Sequence, residues 1–393
     1  MTPAPDAADP ARPRVGDRLE LDSGPIAHGG HVVARTGESG LVVFVRHALP
    51  GERVVAVVTE DASSNGGRFL RADAVDVLAP SPDRVGRPCP YAGPGACGGC
   101  DLQHASLPAQ RRLKAAVVAE QLSRLAGLDV DVEVEAVPDA PDGATHGLAW
   151  RSRMQYVGLP DGQRGLRVHR SHDVVAVDHC PIQAPGAVAL LDGVPPAPRM
   201  SETVTTPAGT RSFEVAGDGF WQPHVEAPRV LVETVLALGA PRVGERVLDL
   251  YAGVGLFTAH LADAVGGSGA VTSVEGDRTA SRLAAANLAD QPQVTTVTDR
   301  VDRALHRGLG PADLVVLDPP RVGAKRQVVR HLAALGPRAV VYVACDPAAL
   351  ARDVGYFLQQ GYRLETLRAF DLFPMTHHVE CVALLTKTGS DLR

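Results

Sequence analysis

The sequence has little lysine, with 3 lysines against 36 arginines. Because this bias runs through the whole chain, arginine content alone is no evidence of nucleic-acid binding, and the net charge of −6 excludes only a wholly basic binder. No segment is apolar and long enough to span a bilayer, and residues 1–10 lack the basic and apolar regions of a signal peptide. We therefore expect a cytoplasmic protein that does not enter a membrane.

Cysteine is also scarce, with six residues in 393, yet Cys89, Cys97 and Cys100 lie within twelve positions of one another. In a reducing compartment grouped cysteines are more often metal ligands or catalytic groups than disulfide partners. Cys180, which is followed by a proline, offers a fourth thiol. Four thiolates suit either tetrahedral zinc or an iron–sulfur cluster, and their spacing alone leaves both readings open.

The length favours two or three domains rather than a single core. Residues 1–14 are rich in Pro, Ala and Asp and are predicted to be a disordered tail. Residues 15–79 alternate short β-type runs with Gly and Pro turns, which predicts a small antiparallel barrel. Residues 80–209 form a central segment that begins with the cysteines. It contains a predicted helix at 108–126, a strand near 130–137 and a Pro/Gly-rich break at 184–198.

The pattern changes in residues 210–393, where apolar runs without alternation are separated by helical stretches. The predicted strands are 246–250, 270–274, 293–298, 314–317 and 339–344. Strands of this kind, separated by helices, are typical of a parallel sheet that is buried on both faces. The sequence thus predicts an α/β domain of the Rossmann-like type, and helix 108–126 is expected to pack on it.

A glycine-rich turn follows the first of these strands, with Gly253 and Gly255 where a backbone could approach a ligand closely. The next strand ends in Glu275, suited to ribose hydroxyls, and the third ends near Asp299, suited to an adenine amino group. These acids could merely cap the following helices, but the set together favours nucleotide binding. A dinucleotide fingerprint would need Gly or Ala at position 258, which is Thr258.

Two further strand ends carry reactive side chains. Asp318 follows the fourth strand and precedes two prolines that stiffen the turn, and Cys345 follows the fifth strand. Glu380 lies near the C-terminus. A lone cysteine at a strand end is often only a small buried hydrophobe, which is how we interpret Cys381.

These motifs occur in the order found in the RNA 5-methyluridine methyltransferase family, which contains the tRNA and 23S rRNA uracil-C5 enzymes. The chain resembles that family over nearly its whole length, and the segments that carry the resemblance are 28–35, 48–52, 89–100, 220–222, 251–255, 318–321, 344–347 and 377–380. The resemblance implies a class I methyltransferase domain, a small α+β central domain and an N-terminal TRAM/OB-like β-barrel. It also implies S-adenosylmethionine as the methyl donor.

The resemblance assigns roles to individual residues. Cys345 would be the nucleophile that adds to C6 of uracil, and Glu380 the base that later removes the C5 proton. Asp318 would hold the base edge and is assigned to the donor pocket as well. Gln222 and Tyr251 match positions that contact the donor. The family usually has Asn after the nucleophile, whereas this chain has Asp346, which would raise the pKa of the thiol unless its charge is compensated.

The resemblance also favours a [4Fe–4S] cluster over zinc at Cys89, Cys97, Cys100 and Cys180, although seven residues separate the first two cysteines where five are usual. It favours 23S rRNA over tRNA as substrate and a monomeric enzyme. Five arginines between 151 and 172 are the best local candidates for RNA phosphate contacts, with a solvated surface as the alternative. The competing interpretations are a non-catalytic RNA-binding protein and a methyltransferase acting on small molecules or proteins.

Overall fold

The computed structural model of the chain describes residues 12–37, 40–138, 146–160 and 162–388. Most of the predicted tail, residues 1–11, lies outside the described residues. The described chain forms an N-terminal half-barrel, a small central sheet and a large, mostly parallel sheet flanked by helices. Within the described residues, no helix is both long and apolar enough to cross a membrane.

The N-terminal half-barrel is a six-stranded sheet in the order β1-β5-β6-β4-β3-β2. Its strands are β1 Arg18–Asp22, β2 Ile26–Ala27, β3 His31–Arg35, β4 Val42–Arg46, β5 Arg53–Glu60 and β6 Phe69–Ala79. Alternate side chains such as Val32, Val43 and Leu70 face a shared core and are fully buried. The expectation of a wholly antiparallel barrel is wrong at one place, because β4 and β6 pair in parallel. The other neighbour of β6, strand β5, runs antiparallel to it.

The next elements are α1, Leu107–Ala126, and the short strand β7, Val134–Glu135. Ser106 caps the helix by accepting from the backbone N of Ala109, Pro108 lies in its first turn, and Gly127 ends it in the left-handed conformation. The strand is much shorter than the expected run at 130–137.

The central sheet contains β8 Arg151–Gly158, β9 Arg164–Arg167, β10 Val174–Ala176 and β11 Gln183–Leu191, followed by the hairpin β12 Met200–Thr206 and β13 Gly209–Val215. The expectation of a break from residue 184 is wrong, because β11 continues to Leu191 and pairs in parallel with β8. The register shifts between Gln183 and Val188, and Gly186 adopts a φ of 72° there. A bulge thus absorbs Pro185 and Gly186 without ending the strand.

The large sheet has the order β16-β15-β14-β17-β18-β20-β19-β7. Its elements are α2 Ala227–Gly239, β14 Arg246–Leu250, α3 Leu256–Val265, β15 Ala270–Glu275, α4 Arg278–Asn287, β16 Val294–Thr298, α5 Val301–Arg307, β17 Leu314–Leu317, α6 Lys325–Leu335, β18 Ala339–Ala344, α7 Pro347–Leu358, β19 Tyr362–Phe370 and β20 Glu380–Lys387. The strand order reverses between β14 and β17, and this switch point is where open α/β sheets bind ligands.

The strands of this sheet lack polar alternation because both faces are covered. One face packs on α2 and α3, and the other on α5, α6 and α7. Helix α1 lies beside α7, and β7 pairs in parallel with β19 at the sheet edge. Only β20 runs antiparallel to its neighbours β18 and β19.

Candidate active site

The register of the sheet brings the three predicted catalytic residues to one edge. Leu317 at the end of β17 pairs with Tyr342 in β18, so Asp318 lies level with the end of β18. Because β20 runs antiparallel to β18, its first residues face the last residues of β18, and Cys381 pairs with Ala344. Cys345 and Glu380 are the residues next to that pair. Cys381 itself is fully buried in the core, as we predicted.

Cys345 is partly buried in the loop between β18 and α7. Burial, together with the carboxylates of Glu380 and Asp318, raises the pKa of its thiol to about 12, and the guanidinium of Arg321 opposes that rise. This shift favours the protonated thiol over the thiolate. A cysteine in this environment must lose its proton as it attacks, so the neighbouring acids matter to the reaction.

Asp346 is the N-cap of α7, and its Oδ1 accepts from the backbone N of Ala349 at 2.8 Å. Asn and Asp cap helices about equally well, which explains how Asp replaces the usual Asn at this position. Its other oxygen lies 3.2 Å from Nε2 of His28 in the half-barrel. This hydrogen bond raises the pKa of His28. His28, the group that can compensate the charge of Asp346 when its imidazole is protonated, thus comes from another part of the chain.

Asp318 and Glu380 are a pair of carboxyl groups that both resist ionisation. Burial raises the pKa of Asp318, although a hydrogen bond from Nε2 of Gln222 to its Oδ2, 3.3 Å long, favours the charged form. Burial and the charge of Asp318 raise the pKa of Glu380 well above its ordinary value. Two such groups cannot both ionise easily in one buried place, and a carboxylate with a raised pKa is a stronger base.

The glycine turn after β14 is organised by Glu275. Its Oε2 accepts from the backbone N of Gly253 at 2.8 Å, and its Oε1 accepts from the backbone N of Asp277 at 2.7 Å. Gly255 has a φ of +94°, and a Cβ there would lie 2.9 Å from a methyl group of Leu288, so only glycine fits without movement. Tyr251 is also left-handed, with a φ of 62°, a strain typical of ligand sites.

Asp299 and Asp249 are two further acidic residues near this turn. The backbone N of Asp299 donates to the carbonyl of Glu275 at 3.0 Å, so these two predicted donor-binding residues are neighbours. Arg307 Nη1 lies 2.9 Å from Asp299 Oδ2. Asp249, four residues before Gly253, is enclosed within β14, and Thr258 Oγ1 donates to it at 2.5 Å. Burial raises its pKa to about 7.

Gln222 is buried in the loop before α2 and reaches Asp318 from there. The central sheet holds this loop, because Ser152 Oγ donates to the carbonyl of Gln222 at 3.0 Å and the backbone N of Ser152 donates to that of Pro223 at 2.8 Å. The two sheets therefore meet at the site. The aromatic side chain of Phe220, two residues earlier, is 72% exposed at the surface.

All four grouped cysteines line one cavity of about 400 Å³ in the central region. The seven residues after Cys89 form a tight turn, in which the backbone N of Cys97 donates to the carbonyl of Tyr91 at 2.9 Å. This turn accommodates the two additional residues between Cys89 and Cys97. Within the described ranges, however, no three side chains of His, Cys, Asp or Glu converge closely enough to hold a metal ion.

The arginine-rich strands β8 and β9 are less available for RNA than the sequence indicated. Arg153 is largely buried and donates to the carbonyls of Gly217 and Gly219 at 3.2 and 2.8 Å. Arg164 donates to the carbonyl of Asp178. Arg167 and Arg170 are about half exposed and have acidic neighbours only at 3.5 Å. These two are the most exposed of the five arginines.

Several contacts of the site were not foreseen from the sequence. His28, His377 and His378 were noted only as parts of family motifs, and Asp101 was not singled out at all. Arg321 Nη2 lies 3.2 Å from Nε2 of His378, which brings the motif at 318–321 against the motif at 377–380. In the sequence, the signal for Asp101 was its position directly after Cys100.

The strand order, the glycine turn at the switch point and the acids at successive strand ends define a class I methyltransferase. Residues 309–388 match the family described as tRNA (Uracil-5-)-methyltransferase, and residues 14–75 match the TRAM domain. An "Uncharacterized RNA methyltransferase" of Streptomyces coelicolor is 46% identical, over 96% of this chain and 94% of its own. The chain belongs to the TRAM-containing RNA uracil-C5 methyltransferase family.

Two further relatives extend this comparison. The "23S rRNA (uracil(1939)-C(5))-methyltransferase RlmD" of Chromohalobacter salexigens is 33% identical over 92% of this chain and 88% of its own. Among solved structures, the tRNA (uracil-54, C5)-methyltransferase of Pyrococcus abyssi in complex with S-adenosyl-L-homocysteine has a TM-score of 0.66 at 20% identity, covering 94% of this chain and 99% of that one. The fold is therefore shared across the full length. The chain is an S-adenosylmethionine-dependent RNA (uracil-5-)-methyltransferase.

Proposed function

We propose that this enzyme methylates C5 of a uridine in 23S rRNA through a covalent adduct between Cys345 and C6. The observation that carries the mechanism is the convergence of Cys345, Asp318 and Glu380 at the carboxyl edge of the large sheet. Support for rRNA comes from the relative that acts on 23S rRNA, which aligns over most of both chains. A tRNA substrate is the alternative, because the matched family is described by that substrate.

The covalent step answers a chemical difficulty. C5 of uracil is too weak a nucleophile to take a methyl group, but addition of sulfur at C6 turns the ring into an enolate whose C5 is nucleophilic. Asp318 takes the proton of the Cys345 thiol as sulfur forms the S–C6 bond, and the electron pair of the C5–C6 double bond moves through C4 to the exocyclic oxygen O4. Asp318, held by Gln222, would then offer that proton to O4 in a hydrogen bond as the negative charge develops there.

The second half of the reaction restores the double bond. S-adenosylmethionine supplies the methyl group that C5 takes up. Glu380 then accepts the C5 proton, the C5–H electron pair forms the C5–C6 double bond, and the C6–S bond breaks to release the Cys345 thiolate. The buried position that raises the pKa of Glu380 makes its carboxylate a better acceptor for a weakly acidic C–H proton.

The donor pocket we propose comprises Gln222, Tyr251, Gly253, Gly255, Glu275, Asp299 and Asp318. Glu275 would have two roles in this pocket, because its carboxylate also accepts a hydrogen bond from the backbone N of Gly253 and so holds the turn in place. A carboxylate oxygen has more than one lone pair, so Glu275 can accept from ribose hydroxyls while it keeps this bond. The strained left-handed conformation of Tyr251 is of the kind found at ligand sites.

We also propose a [4Fe–4S] cluster bound by Cys89, Cys97, Cys100 and Cys180. Its support is the single cavity that all four thiols line. Zinc is the alternative, because four thiolates suit either group. The cluster would supply a structural link between distant segments.

The mechanism predicts that two substitutions fail differently. Cys345→Ala should form no covalent complex, because the ring is never activated. Glu380→Gln should still attack and methylate, then stall before elimination and leave protein joined to RNA. Denaturing gels with labelled fragments of 23S rRNA and with labelled tRNA, each with and without S-adenosylmethionine, separate these outcomes and identify the substrate.

Cys381→Ala provides the matched control, because this cysteine lies in the core one residue beyond Glu380. It should turn over and leave no stalled complex. Normal turnover by Cys345→Ala would overturn the nucleophile and with it the mechanism. Adduct formation on tRNA but not on the rRNA fragments would overturn the rRNA assignment and leave the chemistry in place.

A further inference from the structure

The loop that leads into Glu380, the first residue of β20, is held mainly from outside its own sheet. This loop, residues 371–379, joins β19 to β20 and is called here the base loop. The backbone N of Leu102 donates to the carbonyl of Met375 at 2.9 Å. From α1, Gln110 Oε1 accepts from the backbone N of Met375 at 2.7 Å, and Lys114 Nζ donates to the carbonyl of Phe373 at 3.0 Å.

The strongest of these links comes from the residue that follows Cys100. Asp101 is 6% exposed, and its Oδ2 lies 2.6 Å from Nδ1 of His377 in the base loop. Its other oxygen lies 3.6 Å from Nη2 of Arg46 in the half-barrel. Because water has little access to compete, a bond to this carboxylate is expected to be among the stronger ones in the molecule.

The half-barrel closes on the same contact from the other side. Gly30 sits so near that a Cβ there would lie 2.7 Å from Cβ of His377 and 3.2 Å from Cβ of Asp101. The His377 ring lies against that of His378, with centroids 4.0 Å apart, and His378 in turn contacts Arg321. A continuous set of contacts therefore runs from the cysteine segment to the residues flanking Glu380.

We propose that Asp101 is a positioning residue that couples the folding of the cysteine segment to the placement of Glu380. The inference rests on the proposed role of Glu380 as the base. Cys345 belongs to the loop between β18 and α7, whereas the described contacts of Asp101 are with His377 and Arg46. We therefore expect the two halves of the reaction to depend on different supports. Loss of the Asp101–His377 bond should slow removal of the C5 proton and leave attack by Cys345 nearly unchanged.

Asp101→Asn tests this, because asparagine keeps the size of the side chain but weakens the charge-assisted bond. In single-turnover reactions with labelled RNA and S-adenosylmethionine, we expect the covalent complex to form at about the wild-type rate and to decay about tenfold more slowly, equivalent to about 1.4 kcal/mol in the barrier. His377→Ala removes the same bond from the other side and should behave alike.

The matched control is Asp178→Asn. Asp178 is exposed, lies two residues from Cys180, and accepts from the hydroxyl of Tyr91 at 3.1 Å, so it belongs to the cysteine region without touching the base loop. Its variant should resolve the complex at the wild-type rate. Hydrogen exchange supplies a readout apart from activity, with faster exchange of the amides of 373–380 expected in Asp101→Asn only.

Different outcomes test the role of Glu380 as the base and the positioning role of Asp101. If Glu380→Gln accumulates no complex, the base assignment fails. If Glu380→Gln accumulates the complex but Asp101→Asn and His377→Ala resolve it at the wild-type rate, the positioning role is overturned. Equal slowing of formation and decay would also overturn it, because that result indicates a general loss of structure.

Discussion

At the scale of single residues, the most informative position is Asp346. It keeps the helix-capping function of the asparagine usual in this family but adds a negative charge beside the nucleophile. His28 of the half-barrel lies 3.2 Å from that charge. The carboxylate of Glu120 on α1 also acts on His28, so the imidazolium is stabilised from two elements. The effect of Asp346 on the site therefore depends on His28, which can compensate its charge.

This pairing predicts a change in the reactivity of Cys345. Asp346→Asn should lower the pKa of the thiol and speed its alkylation by iodoacetamide, whereas His28→Gln should slow it. Both groups are partly exposed, so solvent screening limits each effect to about two- to fivefold. Because His28 has a raised pKa, its compensation is complete at low pH and is lost as the pH rises through that value.

The measurement is the alkylation rate of the Cys345 peptide by mass spectrometry, at several pH values between about 6 and 9. In the Asp346→Asn background, His28→Gln should have no further effect, because no charge remains to be compensated. An equal slowing in both backgrounds would show that His28 acts on Cys345 by some route other than Asp346.

At the scale of elements, α1 links the central region to the large sheet. It packs beside α7, and its buried Lys114 bonds Oδ1 of Asp371 at 2.6 Å. Both side chains are almost fully buried, at 1% and 3% exposure. Burial lowers the pKa of Lys114, and the charge of Asp371 opposes that effect. This buried pair sits at the start of the base loop and fixes where the loop leaves β19.

Removing one member of this buried ion pair while keeping the other should lower the free energy of unfolding strongly. Lys114→Met leaves a buried carboxylate without its partner and should reduce the free energy of unfolding by about 3–5 kcal/mol. The double variant Lys114→Met, Asp371→Asn should recover part of that loss. Urea denaturation followed by circular dichroism measures both.

Arg124→Ala on the same helix is the control, because Arg124 is 71% exposed and its ion pair with Glu120 lies at the surface. Its effect should stay below about 1 kcal/mol. A similar small loss for Lys114→Met would mean that Asp371 finds another partner or becomes protonated without strain.

At the scale of the whole molecule, the cysteine region connects parts of the chain that are far apart in sequence. Cys180 stands 80 residues beyond Cys100 in the sequence, yet both line the same cavity. A group bound there would tie the segment at 89–100 to the central sheet, and through Asp101 to the half-barrel and the base loop. Stability and catalysis would then both depend on it.

The cluster proposal predicts that the anaerobically purified protein is brown and carries about four irons and four sulfides per chain. Cys180→Ser should lose the visible absorbance and much of the thermal stability, whereas Cys381→Ala should keep the colour, because Cys381 does not line the cavity. Elemental analysis and absorbance spectra measure this. Stoichiometric zinc without iron would contradict the cluster.

The sequence alone predicted much of the large domain. Strands 246–250, 314–317 and 339–344 have the bounds we predicted, because strands buried on both faces produce unbroken apolar runs that end at polar turns. The motif residues at strand ends could be identified for the same reason. In a parallel sheet, the carboxyl ends of the strands lie along one edge. Residues that follow successive strands in the sequence are therefore also close in space.

What only the tertiary structure decided are the contacts between distant segments. The parallel pairing of β4 with β6 and of β8 with β11 depends on strand order, which periodicity does not report. The partners His28 with Asp346 and Asp101 with His377 are more than 250 positions apart in sequence. Local residue patterns encode which face of an element is buried, whereas the choice of a distant polar partner depends on how whole elements pack.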